Sequence, residues 1–194
     1  MHPSPTKVVI VPSGMATSTR RSITVRDLAA SAAVPPDLAA GRLVVVCGLP
    51  GAGKTTLARR LEDELAAVRL CPDEWLEALG IDLFDLDARA RVERLQWDLA
   101  QRLLATGQAV VIEWGTWSRA ERDAVRDVAR RLGAAVELRY FDAPVDVLWP
   151  RVRDRGREQA VGSRPLTWAD LEGYAEHFEA PDAEELATYD PPPS

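Results

Sequence analysis

Three observations predict an α/β fold, a doubly wound parallel sheet in three layers. From Leu43 onward, short apolar runs alternate with amphipathic segments at the spacing of successive βα units. The first run, Leu43 to Cys47, reads as a buried strand, and a glycine-rich turn leads from it directly into a helical pattern. The chain has 194 residues, 46% hydrophobic and 28% charged, the size and make-up of one globular domain.

The elements follow in order. Residues 1–40 mix Pro, Ser, Thr, Ala and Gly without a sustained period, which predicts a flexible N-terminal extension. Its stretch Val8 to Val11 is a candidate edge strand, and Met15 is an alternative start. The domain is expected over 41–190, with 191–194 a disordered tail. After the first strand, Thr55 to Leu65 is a helix with Leu57, Leu61 and Leu65 stacked. Val68 to Cys71 is a second strand. Ala88 to Thr106 is a helix expected to bury Val92, Leu95, Leu99 and Leu103, closed by Gly107. Gln108 to Ile112 is the third strand. Ser118 and Glu121 form a capping box that opens a helix to about Leu132. Ala135 to Phe141 is the fourth strand. Val145 to Arg155 is helical, and Pro150 predicts a kink or a late start. Thr167 caps the last helix, to Phe178.

Several classes of protein are excluded. The longest apolar run is five residues, far short of the roughly 18–20 of a membrane-spanning helix. No apolar secretion core follows Arg20-Arg21, so the expected compartment is cytoplasmic. Cys47 and Cys71 each end an apolar strand, as buried thiols do, and two cysteines without a histidine cluster make neither a structural zinc site nor a disulfide scaffold. A net charge of −6 disfavours a surface that grips a phosphate backbone.

Gly48-Leu49-Pro50-Gly51-Ala52-Gly53-Lys54-Thr55 satisfies G-x-x-x-x-G-K-[ST] and lies between a strand and a helix, as that motif requires. Glycines let consecutive N–H groups turn inward around a phosphate, and the helix start adds its positive dipole end. Lys54 is placed to reach the β- and γ-phosphates, Thr55 to hold Mg²⁺, and Thr56 extends the nucleotide-binding segment. The only other Lys is Lys7, against 22 Arg, so a compact ammonium stands where a guanidinium would not fit. Nucleoside triphosphate binding follows.

Other candidates cluster at the strand ends. Asp73, after the second strand, is the favoured candidate general base for an acceptor hydroxyl, with Glu74 the alternative; the competing role for Asp73 is to cap the helix through Trp75. Glu113 ends the third strand as a Walker-B-like acid that would touch Mg²⁺. Trp114, Thr116 and Trp117 line the same edge, where the tryptophans either stack a substrate or simply pack. Arg119 and Arg122 share a helix face that either holds an anionic substrate group or is solvated. Arg151, Arg153, Arg155 and Arg157, with Arg164 beyond, form the densest basic patch, read as an arginine lid over the γ-phosphate in preference to a solvated helix or pairing with Asp154 and Glu158. Asp170 to Asp190 carries no Lys or Arg.

Together, the phosphate loop, Pro72-Asp73-Glu74-Trp75, Ile112-Glu113-Trp114-Gly115-Thr116-Trp117-Ser118-Arg119-Ala120-Glu121-Arg122, the arginine patch and Phe178-Glu179-Ala180-Pro181 resemble a group of P-loop predicted kinases. That group is similar to polynucleotide 5′-hydroxyl kinases, zeta toxins and chloramphenicol phosphotransferases. The resemblance implies a P-loop kinase fold, an acid at Asp73 that activates the acceptor hydroxyl, lid contacts from Arg151 and Arg155 to ATP, and a segment at Phe178 to Pro181 near adenine. Where polynucleotide kinases tend to show Asp-x-Thr-Asn, this chain has Glu113-Trp114-Gly115-Thr116-Trp117. The expected activity is an ATP- and Mg²⁺-dependent phosphotransfer to a hydroxyl of a small molecule such as a nucleoside, sugar or antibiotic. The alternatives are a 5′-hydroxyl polynucleotide kinase and a nucleotide-gated regulatory ATPase.

Overall fold

The computed structural model describes residues 40–156 and 165–193. Four parallel strands form one sheet in the order β2-β3-β1-β4: β1 (Arg42–Gly48), β2 (Val68–Leu70), β3 (Ala109–Ile112) and β4 (Ala135–Phe141). Central β1 aligns Arg42 with Ala109 of β3 on one side and with Ala135 of β4 on the other. Both faces of β1 are covered, which is why its apolar run does not alternate. Leu43 and Val45 point to one face, where they meet Trp97, Ala100 and Leu104 of α3 (Leu86–Ala105) and Val125, Val128 and Ala129 of α4 (Arg119–Arg131). Val44 and Val46 point to the other, against Ala58 and Leu61 of α1 (Lys54–Glu64). Truncating a side chain such as Leu104 to alanine would cost about 2–5 kcal/mol. The expected three-layer, doubly wound arrangement is the observed one.

The remaining helices surround the carboxyl edge of the sheet. α2 (Pro72–Ala78) follows β2 with Cys71 at its N-cap and Pro72 at its first position. α5 (Val145–Gly156) begins where the Val147 and Leu148 N–H groups bond to the Pro144 carbonyl, so Pro150 does not delay it. Pro150 only removes the N–H that would have reached Asp146. α6 (Trp168–His177) opens with a complete Thr167–Asp170 capping box. At α4 the Ser118 hydroxyl accepts from the Glu121 N–H as expected, but the Glu121 carboxylate accepts from Trp117 rather than from Ser118. A short α7 (Ala183–Leu186), not anticipated from sequence, brings the C-terminal segment back to β4, where Asp190 and Val136 exchange two bonds.

The burial of α3 differs from expectation at Leu95: Val92 is buried and Leu99 and Leu103 pack partly buried against the core, as expected. Leu95 is 61% exposed, and the buried face carries Glu93, Gln96, Trp97, Ala100 and Leu104 beside Val92. The sheet decides this: Trp97, Ala100 and Leu104 take the contact with β1 and β3, which rotates Leu95 to solvent. Val8 to Val11, Met15, Arg157 and Arg164 lie outside the described residues.

Candidate active site

Three glycines shape the phosphate loop. Gly48, Gly51 and Gly53 have φ of 141°, 82° and 99°, in the region L side chains avoid, and this turns the loop around its own N–H groups. α1 starts at Lys54 with Gly53 as N-cap, no side-chain cap and no acid in its first turn. Its first N–H groups therefore have no internal competitor for an anion. Lys54 Nζ lies 3.1 Å from the Leu49 carbonyl, folded back along the loop. Thr55 is half-buried and Thr56 exposed. α5 packs directly on this loop. A Cβ at Gly51 would meet Val152 Cγ2 at 2.8 Å, and Arg151 Nη1 stands 3.5 Å from the Gly51 carbonyl. Leu49, Ala52, Leu148, Val152 and Leu171 close the contact. Thus Arg151 is at the phosphate loop, whereas Arg153 pairs outward with Asp154.

Asp73 is not the cap of α2, a position held by Cys71. Its carboxylate is 58% exposed and is ion-paired to Arg89 of α3, which in turn lies 3.8 Å from Glu93. Burial opposes the Arg89 charge, but the Asp73 and Glu93 carboxylates outweigh it and hold the guanidinium above its ordinary pKa. Glu74 turns away to Arg59 and Arg69. Burial would raise its pKa, yet the bonds from Arg59 and Arg69 bring it below the usual carboxylate range. Arg69 also binds Glu62 at 3.0 Å and Glu113 at 2.7 Å. Sequence reasoning missed Arg69 and Arg89 because neither belongs to a motif; their only signal is the carboxylates they meet in space.

Glu113 is buried at the end of β3. Arg69 engages Oε1, while Oε2 has no hydrogen-bond partner among the described residues. Oε2 and the Thr55 hydroxyl are hard oxygen donors of the kind Mg²⁺ takes, so these residues fit that ion. The inward-turned glycine loop and uncapped helix start fit a triphosphate in the same sense.

Two sequence-derived substrate contacts, Arg122 and Trp114, need correction. Arg122 is fully buried and joined to Glu185 of α7 at 2.6 and 2.8 Å, so it braces the C-terminal segment and has no freedom to hold a substrate anion. Trp114 is 4% exposed, with its ring edge-on to Trp97 at 5.8 Å, so it packs the core. Trp117 is partly exposed, stacked on Tyr174 at 5.0 Å and edge-on to Phe178. Arg119 is partly exposed but surrounded by Asp123, Asp182 and Glu184 at 3.5–3.8 Å. Thr116 is buried beside them, its Oγ1 without a partner among the described residues.

The AAA_33 family model, an AAA domain, matches residues 43–181. The adenylyl-sulfate kinase of Myxococcus xanthus (strain DK1622) is 30% identical over 158 residues, 77% of this chain and 82% of the relative. Among solved structures, a chain of the Pnkp1/Rnl/Hen1 RNA repair complex aligns with a TM-score of 0.58 at 19% identity. That alignment covers 80% of this chain and 48% of the other, so the chain spans about half the length of that relative. A protein of Chloroflexus aurantiacus j-10-fl designated a kinase aligns with a TM-score of 0.58 at 21% identity, covering 74% and 79% of the two chains. A family match across the sheet, the phosphate loop and α6 agrees with the geometry of the loop, and the chain belongs to this AAA-domain family as a P-loop kinase.

Proposed function

We propose that the protein transfers the γ-phosphoryl group of ATP, with Mg²⁺, to a hydroxyl of a small-molecule acceptor. The observation that carries this reading is the placement of Asp73: exposed at the carboxyl edge of the sheet, not spent on capping its helix, and oriented by Arg89. Asp73 takes the proton of the attacking hydroxyl. Lys54, Arg151 and the loop N–H groups hold the phosphates, while the side chain of Arg155, the second lid arginine of the sequence reading, lies outside the described residues. Thr55 and Glu113 would hold Mg²⁺, which when bound neutralises phosphate charge and aligns the transferable group.

A small acceptor is favoured over a polynucleotide by the loss of Arg119 and Arg122 from the exposed, uncompensated charge. The test is ADP release from Mg-ATP in the presence of nucleosides, sugars, hydroxylated antibiotics and 5′-hydroxyl oligonucleotides, with Lys54→Ala as blank. Asp73→Asn is expected to lower acceptor-dependent kcat by about 10²–10⁴ while ATP still binds. Unchanged turnover in that variant removes Asp73 from the mechanism. ATP binding without turnover on any acceptor favours a nucleotide-gated switch instead.

A further inference from the structure

The ends of β2 and β3 bring a thiol and two carboxylates together. The two strands run parallel with Leu70 beside Ile112, and the Glu113 N–H continues the ladder to the Leu70 carbonyl. The next residues, Cys71 and Glu113, therefore sit side by side past the strand ends. Glu74 follows Cys71 by one turn of α2 and so returns to the side of that N-cap. Cys71, Glu74 and Glu113 thereby offer one sulfur and two carboxylate oxygens that all lie within 4.8 Å of one another. Cys71 and Glu113 are buried, and the Glu74 side chain, 40% exposed, opens the group to solvent. Glu113 carries the sign that a ligand belongs here. Its side chain is 2% exposed, Arg69 takes Oε1, and Oε2 has no hydrogen-bond partner among the described residues. A buried carboxylate oxygen left without a donor is costly unless a cation completes it.

The chemistry of the donors narrows the cation. Mg²⁺ takes hard oxygen ligands and leaves a sulfur unused, whereas Zn²⁺ accepts thiolate and carboxylate together. Tetrahedral Zn²⁺ holds sulfur at about 2.3 Å and oxygen at about 2.0–2.2 Å, which sets its ligand atoms roughly 3.3–3.7 Å apart. The partly exposed Glu74 has the freedom to close the remaining distance, and the ion takes the place of the thiol proton among donors already gathered. Arg69 stands behind both carboxylates, donating to Glu113 Oε1 and Glu74 Oε2, as the partners behind metal ligands do. Arg59 and Arg69 face three carboxylates, Glu62, Glu74 and Glu113, which leaves one negative charge; the Cys71 thiolate would make it two. A divalent cation cancels them.

We propose that Cys71, Glu74 and Glu113 form a Zn²⁺ site, with a fourth position open to water on the Glu74 side. On binding, the Cys71 S–H bond breaks, its proton leaves to solvent and the sulfur electron pair bonds the ion. Three protein ligands and an open position set it apart from a closed structural zinc site. The site stands independently of the phosphotransferase reading, and one consequence rests on that reading: Zn²⁺ takes the Glu113 oxygen assigned to Mg²⁺ and so slows phosphoryl transfer.

The full chain, stripped of metal with a chelator, is titrated with Zn²⁺ by calorimetry in the wild type, Cys71→Ser, Glu74→Gln and Glu113→Gln, and with Co²⁺ as a spectroscopic probe. One Zn²⁺ per chain is expected, and it should raise the wild-type Tm. Cys71→Ser and Glu113→Gln should each weaken binding by about 100-fold or more, and Glu74→Gln by about 10–100-fold, since even the partners behind a ligand contribute about 10–100-fold. Co²⁺ should give the wild type a thiolate-to-metal charge-transfer band that Cys71→Ser lacks. Serine is a favoured N-cap, so Cys71→Ser should still melt cooperatively without metal, which separates a lost ligand from lost folding. Absent Zn²⁺ binding, equal affinity in the wild type and Cys71→Ser, or Co²⁺ bound without that band overturns the site. One equivalent of Zn²⁺ should slow ADP release from Mg-ATP in the wild type and not in Cys71→Ser. Cys71-dependent binding that leaves turnover unchanged supports the site and removes Glu113 from the Mg²⁺ ligands. Cys71-dependent binding in a chain that phosphorylates no acceptor supports the site and overturns the phosphotransferase reading.

Discussion

Arg122 and Glu185 face each other across 63 residues of sequence with two hydrogen bonds, Nε to Oε1 at 2.6 Å and Nη2 to Oε2 at 2.8 Å, both side chains buried to within 1% of completely. Two further bonds from Arg122 Nη1, to the Thr116 and Trp117 carbonyls, fasten the loop after β3 to the same group. Burial alone would weaken the guanidinium, but the Glu185 carboxylate outweighs it and raises its pKa. The pair therefore joins α4, α7 and the site loop in one fixed arrangement.

Removing one partner leaves a buried charge unmatched. Arg122→Ala is expected to destabilise the fold by about 3–5 kcal/mol in urea denaturation, whereas Arg119→Ala, at an exposed cluster, should change stability by under about 1 kcal/mol. Equal effects would mean that the C-terminal segment is held mainly by other contacts.

The approach of α5 to the phosphate loop is tested at Gly51. A methyl there meets Val152 Cγ2 at 2.8 Å and the Leu148 carbonyl at 3.2 Å, on a backbone with φ of 82°. Gly51→Ala should cost about 1–3 kcal/mol of backbone strain and weaken ATP binding by about tenfold or more. Calorimetry that returns wild-type affinity would show that the loop adapts.

Glu74 supplies a pH signature. Its folded pKa is lowered despite burial, because Arg59 and Arg69 favour the ionised form. A depressed carboxylate pKa gives stability that is fully present above the unfolded value, about 4.3, and lost as pH falls through the folded value. The wild type should thus melt above Glu74→Gln at pH 7, and the gap should begin to shrink as pH falls past the unfolded value and close only below the folded one. A Tm difference independent of pH would assign the effect of the substitution to packing.

Both cysteines are predicted to be inert in the native state. Burial pushes the Cys47 and Cys71 thiols up to about 12, with the Glu113 charge adding to the effect at Cys71. At pH 8 an aromatic disulfide reagent should label neither until denaturant is added, because the thiolate is the reacting form. Rapid native labelling of either residue would place it at an accessible surface.

Much of this was legible from the chain itself. The phosphate loop was readable because its chemistry is contiguous: eight residues carry the glycines, the lysine and the hydroxyl that the turn requires. The central strands β1 and β3 were readable because burial on both faces leaves apolar runs, and the larger helices because their caps and periodicity are local. On α3 only Leu95 was misplaced: Val92 is buried and Leu99 and Leu103 flank the core, but contact with β1 and β3 centres the buried face on Trp97, Ala100 and Leu104. For Trp114 and Arg122 the sequence could not choose between ligand contact and packing, because the groups that cover them, Trp97 and Glu185, are distant in sequence.

The sequence by itself determined the α/β architecture and the phosphate-binding loop, since both follow from patterns shorter than one βα unit. Only the tertiary structure decided which charges stay available beside that loop. An arginine's role depends on the carboxylates within a few ångströms of it, and here α3, β2 and the returning C-terminal segment bring those carboxylates from remote positions.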